Sequence, residues 1–214
     1  MRSIALIDYG SGNLRSAEKA LLKANKALGR PCAIHTTADP DIVAAADGIV
    51  LPGVGAFAAC MAGVESRPGL PEALHEAVRA RGAPFLGICV GMQLLASRGK
   101  EFGETPGLGW IAGEVRRLTV QDHAFKIPHM GWNALDDVVD HPIFAGLKSG
   151  DHMYFTHSFA LFPEDEGVIA ATTDHGGRFP VAVAHDNVAG VQFHPEKSQA
   201  AGLKLLGNFL EWRP

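Results

Sequence analysis

The stretch A-P-F-L-G-I-C-V-G-M-Q-L-L-A-S-R-G, Ala83 to Gly99, sets one cysteine between two glycines where an apolar run gives way to helical spacing. Gly87 and Gly91 stand two before and two after Cys89, the G-x-nucleophile-x-G pattern of a sharp strand-to-helix elbow with sulfur in place of oxygen. Glycine removes Cβ crowding in such a turn, and the thiol would sit at a helix N-terminus. That end of the dipole favours a thiolate and lowers a free-cysteine pKa of ~8.5 by one or more units. The helix is expected to run through "MQLLASRG" and stop at Gly99. Burial as a small core residue is the competing reading, and the commoner fate of a free cysteine.

Outward from this elbow, the first half alternates strand and helix. "SIALIDY" (3–9), "CAIHTT" (32–37), "DGIVLPG" (47–53) and "APFLGIC" (83–89) read as buried strands. Between them, 14–28 has Leu14, Ala17, Leu21, Leu22 and Leu28 at helical spacing, and 56–63 and 70–81 carry similar patterns. Apolar strands separated by helices imply an α/β fold with a mostly parallel central sheet covered on both faces. The second half changes to short strand-like runs, "GWIAGEVRRLTV", "FKIPHMGWNAL", "HMYFTHSFAL", "GVIAATT", "PVAVAHD" and "VAGVQFHP". These predict an antiparallel elaboration, then a strand returning to the main sheet, then an amphipathic helix over 199–212. With no repeat, linker or low-complexity tract visible, residues 1–214 read as one domain.

A net charge of −4 argues against a nucleic-acid partner. The longest apolar run, 85–96, is broken by glycines and Gln93 and is too short for a bilayer, so no membrane role is expected. Cys32, Cys60 and Cys89 cannot all pair and form neither a disulfide framework nor a metal knuckle. The N-terminus enters "SIALIDYG" without a basic-then-apolar leader, which points to a reduced, cytoplasmic setting. No cofactor and no metal are expected.

"GVQFHPEKS" supplies a partner for the thiol. His194 and Glu196 flank Pro195 at the end of an apolar strand. In an extended backbone, residues i and i+2 point the same way, so Glu196 would hold one imidazole nitrogen while the other faces sulfur. A metal reading of this H-x-E has no further clustered ligand to complete it, and a surface turn is the bland alternative. "LPGVGAF" (51–57) is a second strand end followed by glycines, whose backbone N–H groups would face the same sheet edge as an oxyanion hole. "DYGSGNLRS" suggests a dinucleotide fingerprint. Arg15 occupies the place of the third glycine, however, and no acidic residue closes the second strand, so that reading is rejected. The loop more plausibly presents Asn13 to a partner or ligand. His35, His75, His123, His129, His141, His175 and His185 read as solvated or satisfied, leaving His152 and His157 as the two to watch.

"GICVGMQ" with a distant "FHPEKS" resembles the triad (class I) glutamine amidotransferases. "IDYGSGNL", "LPGVGAF", "PHMGWN" (128–133) and "YFTHSF" narrow the resemblance to the glutaminase subunits of imidazole glycerol phosphate synthases, over essentially the whole chain. The resemblance implies Cys89 as nucleophile, His194 as base and then acid, and Glu196 as the residue orienting His194. It implies an oxyanion hole from the Gly53–Val54 peptide and the Val90 N–H. Gly55, Gln93, His157, Ser158 and Phe159 would line the glutamine pocket, with phenylalanine standing where the family often has tyrosine. It also implies a heterodimer with a separate (β/α)8-barrel cyclase that receives the ammonia, and a glutaminase that is weak until that partner holds its ligand. Asn13, Met130 and Trp132 are candidates for the shared face, with loop and core packing as their ordinary alternative. The competing assignments are the glutaminase of another amidotransferase (anthranilate or aminodeoxychorismate synthase), a cysteine peptidase or γ-glutamyl hydrolase, and a silent binding subunit.

Overall fold

A computed structural model describes residues 1–121 and 124–214; His123 lies outside the described residues. The first half runs β1 (Ser3–Ile7), α1 (Leu14–Lys26), β2 (Ala33–Thr37), α2 (Pro40–Ala45), β3 (Ile49–Gly53), α3 (Phe57–Glu65), α4 (Leu70–His75), β4 (Phe85–Cys89) and α5 (Val90–Gln93). The second half adds β5 (Ala96–Gly99), β6 (Thr105–Pro106), β7 (Ile111–Arg117), β8 (His129–Ala134), β9 (His152–His157), β10 (Phe159–Pro163), β11 (Ile169–Asp174), β12 (Arg178–His185), β13 (Val188–Val191) and α6 (Gln199–Glu211).

Seven strands form the central sheet in the order β11-β12-β13-β4-β3-β1-β2. β2, β1, β3, β4 and β13 are parallel, as expected from the apolar sequences of β1, β3, β4 and β13, with the more polar β2 at the sheet edge. β2 lies on one side of β1 and β3 on the other. Right-handed crossovers therefore put α1 on one face and α2 to α4 on the opposite face, with a switch point between β1 and β3. Loops leaving the C-terminal ends of β1 and β3 open at that point, beside the end of β4.

Local sequence explains the helix ends. Asp39 caps α2 by accepting from the Asp41 N–H, and Pro40 occupies the first turn, where its missing donor costs nothing. α1 buries Ala17, Ala20, Leu21, Ala24 and Asn25, and Lys23 and Lys26 in its last turn suit the negative end of the dipole. Buried Asn25 bonds both the N–H and the C=O of Cys32, fixing the turn into β2. Leu22, read as inward, is 42% exposed, because Ala17, Ala20, Leu21 and Ala24 form the inner stripe.

The elaboration divides in three. β11 and β12 extend the central sheet antiparallel, β10-β7-β5-β6 form a second sheet, and β8 pairs β9 as a two-stranded ribbon. The run "HMYFTHSFAL", read as one strand, breaks at Ser158, where the chain leaves β9 for the second sheet. The helix after Cys89 is shorter than its spacing predicts. α5 closes after one turn and Gly99 ends strand β5, so it is not a helix stop. The α4 pattern continues to residue 80 as a wider turn over Glu76–Ala80.

Candidate active site

Cys89 ends β4 with φ 55° and ψ −112°, a conformation that L-residues rarely adopt. The flanking glycines are sterically required. A Cβ on Gly91 would run into the Leu51 carbonyl oxygen of β3, and one on Gly87 into the Gly91 carbonyl. This is the elbow inferred from sequence. The dipole argument for the thiolate is corrected, however: a single turn carries little macrodipole. A different donor reaches the sulfur. Gln192, fully buried just beyond β13, points its Nε2–H at Cys89 Sγ across 3.6 Å.

β13 lies parallel to β4, with Val191 beside Ile88, and so delivers His194 next to Cys89. His194 is extended (φ −102°, ψ 97°), as a residue before proline should be. The His194–Glu196 pair forms as expected, but by another route. Pro195–Lys197 makes a 3-10 turn that folds Glu196 back, where an extended run was expected. His194 Nδ1–H donates to Glu196 Oε1 across 2.7 Å, both side chains being 2% exposed. The Ser198 hydroxyl donates to the His194 carbonyl at 2.7 Å and accepts from the Tyr154 N–H at 3.0 Å, tying the turn to β9. Burial works against a charged His194. Hydrogen bonding and charge attraction from Cys89 and Glu196 outweigh it and push the imidazole up to about 9. Its Nε2 is sealed from solvent without a well-aligned partner among the described residues.

Asn13, read as a partner-facing residue, turns inward. Its Nδ2–H donates to Glu196 Oε1 across 2.7 Å, so this amide and His194 share one carboxylate oxygen. Met130 and Trp132 do face outward on β8, 62% and 47% exposed.

Gly53 sits beside Cys89 in register between β3 and β4. The Val54 N–H, however, donates to Ser11 Oγ at 3.1 Å and is turned to the β1 loop in this conformation. The Val90 N–H opens α5, where no intrahelical acceptor exists. Around these groups lies a cleft of about 580 Å³, lined by Val54, Gly55, Cys89, Val90, Gln93, the 157–159 segment and His194. Every residue proposed for the nucleophile and pocket except Gly53 and Glu196 borders this cleft, and those two stand directly behind it.

Several contributors were not read from sequence. Glu101, Arg117 and Lys197 put charges of both signs on the cleft wall, and Glu101 also accepts the Phe57 N–H at the start of α3 (2.8 Å). Gln192 was legible in principle, since it lies two residues before His194 in "GVQFH" and so shares its face of an extended chain. Of the two histidines singled out, His157 reaches the cleft and His152 does not, while His129 is satisfied as read, though by burial against His157 rather than by solvent. His129 is 2% exposed and bonded to His157, whereas His152 is exposed and meets only the Gly150 carbonyl. Burial pushes both paired rings down, His129 to about 3 and His157 to about 4, with the neighbouring histidines adding to the effect. Among the described residues no group of three or more His, Cys, Asp or Glu is placed to hold a metal, and no helix is long and apolar enough to cross a membrane.

Residues 5–212 match the family model of glutamine amidotransferase class-I. The chain belongs to that family. It is 61% identical to the imidazole glycerol phosphate synthase subunit HisH of Caulobacter vibrioides over 214 residues, all of both chains. The HisH subunit of Rhodospirillum rubrum is 53% identical, with 99% of each chain covered. Among solved structures, a glutamine amidotransferase superposes with TM-score 0.70 at 22% identity over 97% of both chains. Another, from Thermotoga maritima, gives 0.59 at 17% identity over 91% of this chain and 76% of its own. These distant structures share the central-sheet architecture, and the full-length relatives put the chain in the HisH branch of the family.

Proposed function

We propose that this chain hydrolyses glutamine to glutamate and ammonia as the glutaminase subunit of an imidazole glycerol phosphate synthase in histidine biosynthesis. In this reading a single amidotransferase domain works in the cytoplasm with a separate (β/α)8-barrel cyclase. The observation that carries the reaction is the junction of two strand ends: Cys89 in its strained elbow on β4, and the His194–Glu196 pair carried alongside it by β13.

Cys89 Sγ, as thiolate, attacks the side-chain carbonyl carbon of glutamine, and the carbonyl oxygen gains the negative charge. The Val90 N–H, with the Gly53–Val54 peptide once the Val54 N–H leaves Ser11, would stabilise that oxyanion. Loss of one such donor typically costs ~10²–10³ in rate. His194, kept protonated by Glu196, gives its proton to the departing nitrogen, so ammonia leaves and a γ-glutamyl thioester remains. Neutral His194 then takes a proton from water, whose oxygen attacks the thioester and releases glutamate and the thiolate. Glu101 and Arg117 are suited in charge to the α-ammonium and α-carboxylate of the substrate, and Gln93 and the 157–159 segment shape its pocket. Because Phe159 lacks a phenolic hydroxyl, substrate contacts there fall to Ser158 and to backbone groups.

Ammonia in neutral water is mostly ammonium and is not a nucleophile, so delivery into a second active site preserves it. The exposed Met130 and Trp132 on β8 support a docking face there, since large exposed apolar side chains side by side favour burial by a partner. The test is glutamate release from glutamine by the chain alone, then with the cyclase subunit and its ribonucleotide substrate. Weak turnover alone and strong activation in the complex is the expected result. Equal, robust turnover in both settings would remove the synthase assignment and leave only the glutaminase chemistry.

A further inference from the structure

The ribbon strand β8 has two faces. Met130 and Trp132 point outward, while His129 and Asn133 point inward, as alternation along a strand requires. The inward pair begins an unbroken line of hydrogen bonds. Asn133 Nδ2 donates to the Asp174 carbonyl at 2.8 Å, and its Oδ1 accepts from the Ala134 N–H, which fixes the amide orientation. The second Nδ2 hydrogen faces His129 Nε2 at 3.2 Å. His129 Nδ1 meets His157 Nε2 at 3.0 Å, and His157 Nδ1 meets the Phe159 carbonyl at 2.9 Å.

Both ends of this line fix its protons. A backbone carbonyl only accepts, so His157 Nδ1 carries hydrogen and His157 Nε2 is an acceptor. His129 must then donate from Nδ1, which leaves its Nε2 free to accept from Asn133. One arrangement satisfies every group: two neutral rings, each protonated on Nδ1. An extra proton on either ring would set two donors face to face. His175 lies tilted against His129 at 4.2 Å between ring centroids, and its Nε2–H donates to the Lys126 carbonyl.

The line continues past the histidines. The Phe159 carbonyl accepts a second bond from Gln93 Nε2 at 2.9 Å. Gln93 also donates to Gln192 Oε1 at 3.0 Å, and Gln192 reaches Cys89 Sγ. We infer that His129 is a positioning residue for the glutamine site: by donating to His157 it fixes the Phe159 carbonyl and, through Gln93 and Gln192, the pocket wall and the donor aimed at the nucleophile. The inference deepens the glutaminase reading and rests on it. It also makes β8 one object with two contacts, an outer apolar face for a partner and an inner imidazole that sets the substrate pocket.

The test uses an isosteric pair. His129→Asn keeps a donor where Nδ1 stood, and His129→Leu keeps the bulk without it. In the two-subunit complex, His129→Leu should raise the KM for glutamine about ten-fold, with a smaller change in kcat, and His129→Asn should stay within about three-fold of the parent. If the two variants match each other, or if His129→Leu leaves KM unchanged, the role is overturned. Imidazole ring-nitrogen NMR on the unmutated chain holds even if a variant fails to fold. Both rings should stay neutral and protonated on Nδ1 from pH 6 to 8, and an Nε2–H tautomer on either would overturn the role. A parent complex that releases no glutamate overturns the glutaminase reading itself, whereas normal turnover with matched variants overturns only His129.

Discussion

Asn13 and His194 donate to the same oxygen of Glu196, each across 2.7 Å. The carboxylate is therefore held from the β1 loop as well as by His194, and its other oxygen is sealed without a hydrogen-bond partner among the described residues. Removing the amide leaves a buried carboxylate half-supported. Asn13→Ala is expected to lower kcat for glutamate release about ten-fold with little change in KM, because the lost bond is to a charged group that touches no substrate. Steady-state kinetics on the complex checks the split, and an effect confined to KM would contradict it.

On the proposed mechanism, the raised His194 would set the alkaline limit of the reaction. Its proton must reach the leaving nitrogen, so turnover should persist while the imidazole is protonated and fall as pH rises through about 9. Glu196→Gln removes one of the groups that raise it, so the falling limb should move to lower pH, towards the ordinary ~6.5 of histidine. The pH profile of kcat for both proteins measures this. A limb that does not move would mean that Glu196 does not set the protonation of His194.

Ser11 Oγ accepts the Val54 N–H, so in this conformation that donor is already engaged. Ser11→Ala should therefore raise glutamate release by the isolated chain several-fold and narrow the gap between free and partnered rates. Isolated-chain assays decide, and unchanged basal turnover would mean that another contact sets the peptide.

The paired histidines bear on acid stability with a definite sign. His129 and His157 are depressed to about 3 and about 4, so between those values and ~6.5 the unfolded chain binds protons that the folded chain refuses. Stability is thus fully present above ~6.5 and falls as pH drops, by up to ~1.4 kcal/mol per pH unit for each ring. Denaturant midpoints measured from pH 7 to 4.5 should fall. The fall should be shallower in His129→Asn, and identical slopes in parent and variant would refute the assignment.

Trp132 is an exposed aromatic on β8, packed edge-on against Tyr154. Trp132→Ala should weaken cyclase binding by about ten- to a hundred-fold while leaving the melting temperature of the free chain nearly unchanged. Calorimetric titration separates the two, and wild-type affinity in the variant would move the docking face elsewhere.

Most of the frame was legible because its signals are local. Apolar runs between helical patterns give the parallel sheet, and two glycines around Cys89 give an elbow whose necessity the Leu51 and Gly91 carbonyls now explain. What sequence could not supply was lateral. Nothing in the spacing of Asn13 shows that the β1 loop folds onto a carboxylate 183 positions later, and nothing around His129 announces His157. The length of α5 was misread because "QLLASRG" alternates and repeats equally well, and pairing of Ala96–Gly99 with β7 decided the matter in favour of strand. The charged wall pairs Glu101, in the loop between β5 and β6, with Arg117 at the end of β7, and had no common motif to mark it.

Strand β13 lies between β12 and β4, late in the chain but near the middle of the sheet. Gln192 and Cys89, 103 positions apart, become neighbours only when it inserts. On the proposed mechanism, a ribosome that has translated Cys89 and most of the sheet would therefore still have made no hydrolase. Glutamine in the surrounding fluid would then be safe from half-built copies, and a nonsense mutation anywhere before residue 194 would be expected to yield an inert fragment rather than a leaky enzyme.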